Sequence, residues 1–211
     1  MSYLRDVVTL SRKDILLELR GRDTLPAMVL FVVAMLVAFR FALPREQEDA
    51  ARGLLWVAIV FTALLGLGRS FVPEREQGVL DALVLAPCDR SAIWLGKVVA
   101  LLAFLVAVEA VALPAFAIFF SAVDWATVAA VLLANVGICA VGTLLAAMAV
   151  AGRARELLLP LLFLPLAIPI VVGGVGATVT DDPARYLGFL GLYDAIFAIL
   201  AWATFEYVVV E

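Results

Sequence analysis

Runs of about twenty apolar residues recur along this chain, and nothing else restricts its fold so severely. A helix of that length spans a roughly 30 Å hydrocarbon core while satisfying every backbone polar group internally. Six such runs are read, Leu25 to Leu43, Leu54 to Val72, Ile93 to Phe120, Ala126 to Ala151, Leu157 to Ala177 and Leu187 to Phe205. Of the 211 residues 65% are hydrophobic and 16% charged, and the segments left outside the runs are too short to fold alone. The expected fold class is therefore all-α integral membrane, one domain over residues 1–211 with six transmembrane helices.

Basic residues set the expected orientation. Five precede the first span (Arg5, Arg12, Lys13, Arg20, Arg22), four lie around the connection between spans two and three (Arg69, Arg75, Arg90, Lys97), and two follow span four (Arg153, Arg155). Arg40, Arg45, Arg52 and Arg185 fall on the opposite side. Eleven against four puts both termini and the Arg69 to Lys97 segment in the cytoplasm. The opening segment is charged throughout and lacks an apolar core followed by small residues, so it is expected to be retained rather than cleaved. Its Leu4, Val7, Val8, Ile15 and Leu19 share one side of a helix, with Arg5, Arg12, Lys13 and Arg20 towards the other and Leu10, Leu17 and Glu18 breaking the pattern, which predicts a helix lying in the membrane interface, the alternative being a solvated cytoplasmic helix. Thr24 and Pro26 then suit a turn into the first span.

Several chemistries are disfavoured by residue type. The chain has no histidine, no CxxC and no HExxH, so a metal held by this subunit alone is not expected. A Tyr or Met could ligate haem, but Met among so many apolar residues is expected to pack. Cys88 and Cys139 are separated by the topology and are not expected to pair. A phosphate-cradling loop needs G-x-x-x-x-G-K-[ST]. Lys97 follows Gly96 but precedes Val98, and position 91 is Ser91. If the chain serves an energised transporter, the energy is thus expected to come from a partner, and this chain is not expected to be an enzyme. Nothing in it points to nucleic acid.

The stretch from Arg69 to Lys97 is a polar island between apolar runs. Pro73 fits a first helical turn, Glu74 and Glu76 favour its N-terminal dipole, and Gly78 interrupts it. Val79, Leu80, Leu83 and Val84 then recur at i, i+4 spacing, Asp81 projects elsewhere, Pro87 forbids continuation and Asp89 can cap span three. Such a helix either rests on lipid or inserts into a groove of a cytoplasmic partner, its apolar residues gripping and its charged rim orienting.

This loop, ER-EQG-LDALVLAP followed by GK, resembles that of the membrane permeases of exporter-type ABC transporters. Together with LVLAPCDRSAIWLGK, the proline-rich LPLLFLPLAIPIVVGG and the closing YDAIFAILAWATFEYVVVE, it is similar to the CcmB family of haem-exporter B subunits over nearly the whole chain. The resemblance implies a permease in the bacterial cytoplasmic membrane. Two copies would sit on the ATPase subunit CcmA, beside CcmC and CcmD, in a complex that exports haem or releases the haem-loaded chaperone CcmE. It implies that Glu74, Glu76, Gly78, Val79, Leu80, Asp81, Leu83, Val84 and Pro87 form the ATPase-coupling element. It also implies that ATP is bound by the partner and haem handled by partner subunits, with no cofactor on this chain alone. Alternatives are a permease of a lipid, polysaccharide or drug ABC exporter, or a non-transporting scaffold conveying ATPase motion to CcmC.

Three ionisable residues fall within spans: Arg40, Glu109 and Asp194. A charge at the bilayer centre costs about 2.5 to 3.5 kcal/mol on insertion scales, so each is expected to face protein or water, or to be neutral. Arg40 is expected to snorkel outward with Arg45. Glu109 is expected to be protonated or hydrogen-bonded to another span, and Asp194 to sit at an interhelical contact. Pro160, Pro165, Pro169, Gly173, Gly174 and Gly176 predict a bent or broken span five, and Pro114 predicts a tilt or break in span three.

Overall fold

The computed structural model describes residues 3–44, 47–72, 78, 89–151, 155–180 and 182–208. Among them the secondary structure is entirely helical. In chain order the helices are α1 (Tyr3–Gly21), α2 (Thr24–Ala42), α3 (Glu48–Arg69), α4 (Arg90–Phe119), α5 (Trp125–Ala151), α6 (Arg155–Val179) and α7 (Pro183–Val208). The last six are long and apolar enough to cross a membrane and coincide with the six runs read from sequence.

Helix α5 is the hub, packing on α7, α6, α4 and α3, while α2 leans on α3 and α4. The sequence allows this because α5 carries small residues at its contacts. Ala130, Ala134, Ala140, Ala146 and Ala149 are all buried, and small side chains let helix backbones approach closely where apolar association gains nothing from leaving lipid. The outer helices keep large exposed apolar side chains, such as Leu161, Ile168 and Val172 on α6 and Leu192, Ile199 and Trp202 on α7, as a lipid-facing surface requires.

Helix ends are closed by specific side chains. Asp89 caps α4, its Oδ1 accepting from the Ser91 N–H at 2.9 Å. Asp124 does the same for α5, accepting from the Thr127 N–H at 2.8 Å and its hydroxyl at 2.5 Å. At α2 the N-cap residue Asp23 makes no side-chain cap bond. Instead Glu18, from the end of α1, accepts the N–H groups of Thr24 and Leu25 on Oε1 at 2.7 and 2.6 Å. The turn between the two helices places Arg22 in the left-handed region, φ 56°, with its N–H bonded to the Glu18 carbonyl.

Of the alternatives weighed for spans five and three, the break does not occur: the proline-rich helix α6 runs unbroken from Arg155 to Val179, and α4 runs unbroken through Pro114. Each proline removes one N–H donor, and neighbouring helices are what make that tolerable within a bilayer. Helix α7 is tied to α6 within this stretch, the Tyr193 hydroxyl donating to the Leu166 carbonyl at 2.8 Å. Helix α1 exists as expected, and one side of it packs on protein. Val7 and Ser11 are buried and Leu10 packs on the core against α4, leaving Leu4, Val8 and Leu19 exposed. Contact at Gly96 explains the choice: a Cβ there would lie 2.8 Å from Leu10 Cβ, so only glycine admits α1 this close to α4.

Candidate functional site

Among the described residues, the buried charged side chains fall in two places. The first is where the chain leaves α3 and enters α4, the root of the predicted coupling loop. Of the nine residues assigned to that loop, Gly78 is described. Its φ of 64° is the left-handed conformation that glycine adopts without strain, in line with an interruption there. Glu74, Glu76, Val79, Leu80, Asp81, Leu83, Val84 and Pro87 lie outside the described residues.

At the root itself, Lys97 gathers three elements. Its ammonium pairs with Asp14 Oδ2 of α1 at 3.0 Å and donates to the Ser70 carbonyl just past α3 at 2.7 Å. It also lies 5.0 Å from the centre of the Phe71 ring. Lys97 is only 6% exposed, and Asp14 is nearly as enclosed. An ammonium so buried needs a charged partner and further acceptors, and here they come from α1 and from the residues just past α3. From sequence alone Lys97 bears only on orientation and on the GK dipeptide. A lysine well inside an apolar run, with a carboxylate in the preceding amphipathic helix, was the available signal.

The second place is a layer at mid-depth. Glu109 lies ten residues before the end of α4, Asn135 ten residues into α5 and Asp194 eleven residues into α7. At 1.5 Å per residue all three sit roughly 15 Å from the same end of the bundle. Antiparallel neighbours thus bring the polar groups to one level. Asn135 Nδ2 donates to Glu109 Oε2 at 2.6 Å, and both residues are buried. Glu109 Oε1 and Asn135 Oδ1 have no hydrogen-bond partner among the described residues. Both are acceptors while the carboxyl is ionised; a proton on Oε1 would turn one of them into a donor.

Asp194 also meets α5. Its carboxyl lies against Gly137, where a Cβ would collide with it and would also come within 3.3 Å of the Tyr193 ring. The structure places each in its own contact with α5, Glu109 at Asn135 and Asp194 at Gly137. Arg40 is half-buried in the last turn of α2.

Comparison with known proteins gives a consistent picture. The family model described as CcmB protein matches residues 5–209. The chain is 30% identical over 169 residues to heme exporter protein B of Rhodobacter capsulatus, covering 77% of each. It is 30% identical over 175 residues to heme exporter protein B of Bradyrhizobium diazoefficiens, covering 80% of this chain and 79% of the relative. With heme exporter protein B of Pseudomonas aeruginosa it shares 29% over 174 residues, 80% and 78% respectively.

Proposed function

This chain belongs to the CcmB family, and from that membership we propose that it is the membrane permease subunit of an ABC-type complex for cytochrome c maturation. It couples ATP hydrolysis in a partner ATPase, CcmA, to haem export or to release of the haem-loaded chaperone CcmE. CcmC and CcmD are the expected neighbours and a second copy of this chain the expected mate. The site of action is the bacterial cytoplasmic membrane, with both termini and the segment after α3 in the cytoplasm. The observation that carries this reading is the family match from residue 5 to 209 over a six-span chain.

Coupling requires that a push on the loop after α3 reach the spans. The Lys97 node supports this. Displacing Ser70 or Phe71 acts directly on α4 and, through Asp14, on α1. The mid-depth groups favour force transmission over a polar conduit through this subunit. Glu109 is engaged with Asn135 and Asp194 is packed on Gly137, so both are interhelical contacts. An apolar substrate would need few polar groups along its way, so haem passage between copies remains compatible with the same arrangement.

The test is Leu83→Asp, which puts a charge into the apolar side of the predicted coupling helix. The ATPase subunit is expected to be lost on purification while the permease stays inserted at normal yield. Undiminished co-purification would remove the coupling assignment.

A further inference from the structure

A cavity of about 610 Å³ opens between α1, the start of α2, the end of α3 and the first half of α4. Its size falls within the range of small-molecule sites, roughly 300–1,000 Å³. Its walls differ in charge. Glu18 and Asp23 line it from the α1–α2 turn, and Arg69 from the end of α3. Asp14 and Lys97 also border it but are committed to each other, and Lys97 to the Ser70 carbonyl as well.

What remains for a ligand is two carboxylates and one guanidinium. Glu18 uses Oε1 on the α2 N-terminus, while Asp23 makes no cap bond and is exposed. Arg69 is exposed and has no ion-pair partner among the described residues. Beyond the charged mouth the lining becomes apolar. Leu101 and Phe104 follow Lys97 along α4 by four and seven residues, so the lining runs about 10 Å towards the middle of the span. The charged residues lie within a turn or two of helix ends, where a bilayer holds its headgroups, and the apolar residues lie where it holds its chains.

We propose that this cavity is a binding site for a phospholipid whose headgroup carries both a phosphate and a primary ammonium, as in phosphatidylethanolamine. Arg69 takes the phosphate, for which a planar guanidinium offers paired donors. Asp23 and the free oxygen of Glu18 take the ammonium, and an acyl chain follows Leu101 and Phe104. A net anionic headgroup meets two carboxylates against one cation and is disfavoured. A trimethylated ammonium has no N–H to give them. The assignment is independent of ATPase coupling and survives or fails by itself.

The test uses the full chain in its purified membrane complex. Retention of dioleoyl-phosphatidylethanolamine is compared by native mass spectrometry with retention of the phosphatidylglycerol and phosphatidylcholine of the same chains. Charge-assisted hydrogen bonds of the usual strength predict about a ten-fold preference for the ethanolamine lipid. Asp23→Asn should abolish that preference, and Arg69→Gln should lower retention of ethanolamine and glycerol lipids alike. Because Asp23 makes no cap bond and both residues are exposed, neither change should unfold the chain. Glycerophosphoethanolamine, the headgroup without chains, should fail to compete. Equal or stronger retention of phosphatidylglycerol, unchanged retention in both variants, or full competition by the chainless headgroup would overturn the assignment.

Discussion

Replacing Glu109 or Asn135 perturbs the one side-chain hydrogen bond described between α4 and α5 at mid-depth, and its size can be worked out. The donor and acceptor are 2.6 Å apart, Asn135 is fully buried and Glu109 is 5% exposed. Hydrogen bonds between spans are worth about 0.6 kcal/mol on average and about 1.7 at most in double-mutant cycles. The cycle of Glu109→Leu, Asn135→Leu and the double variant should therefore return a coupling energy of about 0.6 to 1.7 kcal/mol. The single Asn135→Leu should be worse than the double, because it strips Glu109 of its partner. Glu109→Gln keeps a polar pair with Asn135 and should preserve assembly and much of the activity. Glu109→Lys brings a permanent cation to a level where insertion costs about 2.5 to 3.5 kcal/mol, with a longer side chain than the contact accommodates, and should damage both. Reversible unfolding in mixed micelles gives the energies, and co-purified partner subunits report assembly. A Glu109→Gln chain that assembles normally yet no longer releases loaded chaperone would refute this reasoning, because ionisation itself would then be required.

Two further outcomes are expected. A cysteine at Gly78, in a background lacking Cys88 and Cys139, should react with an impermeant thiol reagent only in inverted vesicles; labelling from outside intact cells would invert the topology. Asp124→Ala should cost about 1 kcal/mol of stability, the usual loss for an N-cap. Burial tends to raise the Asp124 carboxyl, but the Thr127 hydrogen bonds and the Arg52 charge outweigh it and hold the group below its ordinary 3.8. The capping contribution is therefore fully present above that ordinary value and lost as pH falls through the lower folded value. The melting difference between wild type and Asp124→Ala should be constant near neutrality and close under strongly acid conditions. A difference that does not change with pH contradicts the assignment.

The spans were legible because membrane insertion leaves few options: twenty apolar residues must be a helix, and all six runs are. Asp89 was readable as a cap because its geometry is local. Prolines left bend and break open because their local cost says nothing of the neighbours, and α6 stays continuous through Pro160, Pro165 and Pro169. The amphipathic pattern of α1 was readable, but its choice of face depends on Gly96, some 80 residues away. Glu109 stood out as a charge in a span, whereas its pairing with Asn135 requires knowing that α4 and α5 are adjacent. Both lie about ten residues from the connection between those helices, so matching depths along consecutive spans would have paired them. The Lys97 node joins residues 14, 70 and 97, and no spacing rule brings those together.

The central claim is that the segment after α3 delivers ATPase motion to the spans, and a photo-crosslinking amino acid at position 83 tests it most directly. In native membranes carrying the whole complex, irradiation should join this chain to the ATPase subunit in high yield. The same probe at Val172 on the exposed face of α6 should give none of that product. Adding a non-hydrolysable ATP analogue should change the yield at position 83, because the partner surface moves with nucleotide. Equal crosslinking to the ATPase at both positions, or to lipid alone at position 83, would contradict the account.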